Sequence, residues 1–120
     1  MNEVLKAMKE RRSIRAFQPT MPPKADLEKI IEAGLYAPSG KGEQAAIIVA
    51  VTNQDLRDKL AAANAKIGGW KEGFDPFYGA PVILVVLGRK DWFTHVYDGY
   101  VNGDIPAPAP RKDGRVFWVE

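Results

Sequence analysis

Three arginines and a serine fall within five positions, at Arg11, Arg12, Ser13 and Arg15, a density of cations beyond what capping a helix end requires. Guanidinium groups bind phosphate through paired, charge-assisted hydrogen bonds, and a serine hydroxyl adds a neutral donor. The chemistry on offer is a grip on a terminal phosphate; a cluster of solvated cations at a helix end is the competing reading. Pro38-Ser39-Gly40 is a second candidate, a turn whose hydroxyl and amides can meet a ligand or simply terminate a helix. Other patterns fail on context. Gly40-Lys41-Gly42-Glu43-Gln44-Ala45 carries the letters of a dinucleotide fingerprint, but a helix precedes it and a strand follows, the reverse of the required order. The stretch from Gly34 to Gly42 resembles a phosphate loop only loosely, because Gly42 stands where Ser or Thr would bind magnesium. Asp91, His95 and Asp98 have helical spacing but no third ligand or nucleophile beside them, and read as a surface histidine with solvated neighbours.

Composition narrows the partners. The 120 residues suit one domain, and 17 Lys plus Arg against 15 Asp plus Glu leave a net charge of +2, too balanced for a chain devoted to nucleic acid. With no cysteine and one histidine, disulfides, thiolate nucleophiles and thiolate metal sites are excluded, and no metal site is expected. No apolar run has the length of a signal peptide core or a membrane span. A cytoplasmic protein without membrane contact is the expectation.

The elements that must position these residues follow from periodicity. Val4, Leu5 and Met8 predict an amphipathic helix from Asn2 to near Arg12. A loop with three prolines leads to a second helix over Lys24 to Tyr36, with Leu27, Ile30, Ile31 and Leu35 on one stripe, stopped by Pro38 and Gly40. Ala45 to Thr52 predicts a central strand buried on both faces, and Asn53 caps a third helix over Gln54 to about Ala65, ended by Gly68-Gly69. Trp70 to Pro81 reads as an ordered loop anchored by its rings. Val82 to Leu87 is a second strand, Asn102 to Pro110 a turn with an extended proline arm, and Val116 to Val119 a short last strand. Two convincing strands are few for a sheet, and their edges need cover. The chain reads as one that lacks part of its sheet or borrows it from a partner.

Several of these motifs, in this order, resemble the flavin-dependent nitroreductase family. Arg11-Arg12-Ser13-Ile14-Arg15-Ala16-Phe17, a proline-containing loop, a helix with Leu27, Ile30 and Ile31, and Ala37-Pro38-Ser39-Gly40 with Gln44 before a strand match its amino-terminal half. Asp75-Pro76-Phe77-Tyr78-Gly79-Ala80-Pro81 resembles the family's loop into its next strand, and Ile105 to Arg111 resembles the arm of its smaller members. Gly42 and Ala109 depart from the pattern, replacing an asparagine and a second tail cation. A larger departure lies between Gly99 and Tyr100, where the family's long buried helix and further strands are missing.

The resemblance implies an α+β fold of nitroreductase type, with helices packed on a small mixed or antiparallel sheet and part of the family sheet and core helix missing. One shortened domain over residues 1–120 is expected, residues 102–120 forming an extended carboxy-terminal arm. It further implies a homodimer with flavin mononucleotide (FMN) at the subunit interface, reduced by NADH or NADPH and passing hydride or electrons to nitroaromatics, quinones or similar small acceptors. By the family pattern Arg11 and Ser13 hold the phosphate and ribityl chain and Arg15 faces the pyrimidine edge of the ring, with Arg12 counted beside them among the cofactor-binding residues. Pro38, Ser39 and Gly40 approach from the partner subunit, and Arg111 is the basic tail residue. No protein side chain need be catalytic, because the flavin performs the chemistry. The alternative is a noncatalytic flavin- or phosphate-binding remnant of the family.

Overall fold

The computed structural model describes residues 2–88 and 112–120. Helix α1 spans Glu3–Glu10 and opens on Asn2, whose side-chain oxygen accepts the Leu5 N–H at 2.9 Å. Glu3 in its first turn and Lys9 in its last both oppose the helix dipole favourably. The predicted apolar stripe is present, yet no residue of α1 is buried: Val4 and Met8 are 66% and 69% exposed.

Pro23 precedes α2 (Lys24–Leu35), its carbonyl accepting the N–H groups of Asp26 and Leu27. Leu27 and Ile31 are buried, whereas Ile30, expected on the same stripe, is 57% exposed. Strand β1 (Ile47–Val51) follows, then α3 (Gln54–Gly68), β2 (Ile83–Leu87) and β3 (Val116–Val119). Asn53 caps α3 as expected, accepting the Leu56 N–H at 2.8 Å. The helix runs beyond the predicted Ala65 because its stop is Gly69, left-handed at φ 73°. Gly69 N–H bonds to the Lys66 carbonyl and Trp70 N–H to the Ala65 carbonyl, the paired closure that satisfies a helix's last carbonyls.

The sheet has the order β2-β1-β3, so β1 is central. It pairs antiparallel with β2, Ile47 opposite Leu87 and Val51 opposite Ile83, and parallel with β3, Ile48 opposite Val116 and Val51 opposite Val119. Alternation puts Ile48 and Ala50 on one face, where they pack with Ile31, Leu35, Leu84, Val116 and Trp118. Val51, on the other face, is 1% exposed, and α3 contacts β1. Ile47 and Val49 are only half-buried, so the central strand is not enclosed along its whole length. Strand β1 starts later than predicted because the Ala46 carbonyl is taken by Arg115 Nε at 2.9 Å instead of a ladder partner. Among the described residues no helix is long and apolar enough to cross a membrane.

Candidate functional site

The arginine cluster begins where α1 ends. Arg11 caps that end, its N–H reaching the Ala7 carbonyl at 3.0 Å while its own backbone turns extended. Arg12 folds back on the helix, its Nη1 donating to the Lys9 carbonyl at 2.8 Å and the Arg11 carbonyl at 2.9 Å. Residues 11 to 15 are all exposed, and the side chains of Arg11, Ser13 and Arg15 make no hydrogen bond or ion pair to a described residue. Unneutralised cations so close together repel each other, and an anion relieves that repulsion. The segment is held at its far end, where Phe17 N–H donates to the Tyr78 carbonyl at 3.1 Å.

The Pro38-Ser39-Gly40 turn sits between α2 and β1. Ser39 Oγ accepts the Gln44 N–H at 2.9 Å, which leaves its own O–H to donate. The Ser39 carbonyl accepts the Gly42 N–H in a short 3-10 turn over Gly40–Gly42. Gln44 holds this shape from below: it is buried, adopts φ 51°, and its Oε1 accepts the Lys112 N–H at 2.8 Å and Arg115 Nη1 at 3.3 Å. Arg115, 8% exposed, also donates to the Leu35 and Ala46 carbonyls, so one buried guanidinium joins the end of α2, the turn, the start of β1 and the carboxy-terminal tail.

A second buried arginine organises the aromatic loop. Arg57 on α3 donates to Asp75 Oδ2 at 2.5 Å and to the Ala80 carbonyl at 2.8 Å, and its guanidinium lies over the Phe77 ring. Asp75 accepts the N–H groups of Phe77 and Gly79, each at 2.9 Å. Burial acts to raise the Asp75 pKa, but the bond from Arg57, the two amides and the Arg57 charge outweigh it and hold the carboxyl below its ordinary range. The expected ring anchoring is present, Trp70 against Phe74 and Phe74 edge-on to Tyr78. A cleft of about 540 Å³ between α3 and this loop is lined by Ala61, Ala65, Trp70 and Phe74 with Arg57 and Asp75.

The described site residues thus fall into two groups, one beside the Tyr78 loop and one beside the tail at Lys112, and among the described residues no hydrogen bond joins them. Arg111 lies outside the described residues, as do the Gly99–Tyr100 junction, the Ile105–Pro110 arm and the Asp91, His95, Asp98 set. Arg57 and Arg115 escaped sequence reasoning. A lone arginine in a helix or before a strand carries no pattern that marks it as buried, and the partners of Arg115 are 69 to 80 residues away.

Residues 8–101 match the profile of the Nitroreductase family. No curated protein matches the chain. Among solved structures, a nitroreductase with bound FMN from Bacteroides fragilis superposes with a TM-score of 0.63 at 34% identity, over 75% of this chain and 54% of that one. An FMN-dependent nitroreductase from Clostridium difficile superposes with a TM-score of 0.62 at 25% identity, over 87% of this chain and 53% of that one. The chain therefore spans about half the length of these structures. Among the described residues, three α-helices on a small mixed sheet agree with the α+β fold expected from the resemblance.

Proposed function

Because the chain belongs to the nitroreductase family, we propose that it binds FMN and acts as an NAD(P)H-dependent oxidoreductase on nitroaromatic, quinone or similar acceptors. The observation that carries the reading is the exposed Arg11–Arg15 segment, whose Arg11 and Arg15 have no carboxylate partner among the described residues. Its donor set, guanidinium groups and one hydroxyl, suits a terminal phosphate. Arg11 and Ser13 hold the phosphate and ribityl chain, Arg12 adds its charge beside them, and Arg15 takes the pyrimidine edge of the ring. Pro38, Ser39 and Gly40 contribute from the partner subunit of a homodimer, Ser39 through the O–H its turn leaves free, and Arg111 adds a tail cation. Bound FMN supplies the hydride chemistry, so the protein's task is to bind, orient and shield it. The reading places a single domain over residues 1–120, with its arm at 102–120, in the cytoplasm.

Titration with FMN tests it. Arg11→Ala is expected to weaken binding by roughly 1–3 kcal/mol, the range for losing a charge-assisted bond; identical curves for both proteins would sink the assignment. The family block missing between Gly99 and Tyr100 favours one second reading, a protein that keeps the phosphate grip without turnover. NADH oxidation by flavin-loaded protein separates the two.

A further inference from the structure

We infer that Arg57 and Asp75 are a positioning pair for the phosphate grip: they set the direction of the Tyr78 carbonyl, and that carbonyl sets the course of the Arg11–Arg15 segment. The inference rests on the phosphate reading above and adds two residues that no part of that reading uses. Between Ser13 and Pro22, the bond from Phe17 N–H to the Tyr78 carbonyl is the only backbone hydrogen bond among the described residues. Phe17 is 46% exposed, so burial does not hold it in place. The path of the arginines therefore depends on where Tyr78 aims its carbonyl.

Tyr78 has φ 54° and Gly79 φ 80°, two successive left-handed residues. Glycine adopts that conformation freely, but a tyrosine persists there only when its surroundings dictate it. The pair supplies the constraint. Asp75 pins the N–H groups on either side, at Phe77 and Gly79, while Arg57 grips Asp75 and the Ala80 carbonyl together. Tyr78 is thus bracketed by bonds that end on one ion pair, whose Arg57 side chain is only 7% exposed. Binding groups must be held within a fraction of an ångström, so loosening the bracket degrades the grip without removing any group from it.

The test compares FMN with riboflavin, which lacks the phosphate, in fluorescence titrations of the full chain, and follows amide exchange at Phe17 in flavin-free protein. Asp75→Asn is expected to weaken FMN binding by roughly 3- to 30-fold, the range for a residue acting through a neighbour, to weaken riboflavin binding less, since riboflavin meets the same segment without the phosphate contacts, and to speed exchange at Phe17 while β1 amides stay protected. Tyr78→Gly, which keeps the ion pair and frees the carbonyl, is expected to give the same pattern and decides the question if Asp75→Asn does not fold. Equal losses for FMN and riboflavin, or unaltered Phe17 exchange, would overturn the inference. FMN binding that is unmoved by Arg11→Ala would overturn the phosphate reading instead, whatever Phe17 exchange shows.

Discussion

Among the described residues, Asp75 is the carboxyl whose titration is coupled to this fold. Its carboxyl is held below the ordinary range, so the folded state favours the ionised form more than the unfolded chain does. That contribution is complete above the unfolded value of about 3.9 and is lost as pH falls through the lower folded value. Urea melts between pH 7 and pH 2 should therefore show wild type losing stability on the acid side that Asp75→Asn, lacking the titration, does not lose; parallel curves would refute the role. Arg115 makes the complementary case. Its donors reach Gln44 Oε1, which the Lys112 N–H also serves, and the Leu35 and Ala46 carbonyls, which lose that donor when Arg115 is removed. Arg115→Ala should cost about 1–3 kcal/mol, measured as a lowered urea midpoint, while the backbone pairing of β3 with β1 stays in place.

Among the elements, α3 and α1 respond differently to the same kind of signal. Both begin at an asparagine whose side chain accepts the N–H three residues on. Helix α3 buries Arg57, Ala61 and Ala65, so its start is coupled to the packed structure, whereas α1 buries nothing. Asn53→Ala is expected to cost about 1 kcal/mol of global stability, the usual value for a lost cap. Asn2→Ala should fray α1 with no matching change in the melt of the sheet. Circular dichroism and a cooperative melt distinguish the two outcomes. The positions of these helices were legible in the sequence because caps, prolines and periodic apolar residues act within a few residues of one another.

For the whole molecule, the face of α1 with Val4, Leu5 and Met8 is an apolar surface that the protomer leaves exposed. A second copy of the chain is the occupant that the proposed homodimer supplies. Met8→Lys should dissociate that dimer in light scattering while leaving protomer stability within about 0.5 kcal/mol, since a surface substitution outside the core changes little. A wild-type chain that scatters as a monomer at all concentrations would count against the dimer.

Neighbouring residues set the local architecture: the Asn53 cap, the proline-containing loop before α2, the Gly68-Gly69 stop, the apolar runs that became β1 and β2, and the dense arginines after α1. Each rests on interactions within a turn or two, which residue order dictates directly. The parallel pairing of β3 with β1, the gathering of Leu35, Gln44 and Ala46 by Arg115, and the closure of the Asp75–Ala80 loop by Arg57 emerge only in the folded chain. Those pairings span separations from 18 to 80 residues. At that distance a partner is chosen by which arrangement buries the most apolar surface while satisfying every buried polar group, a condition on the whole chain that no short stretch records.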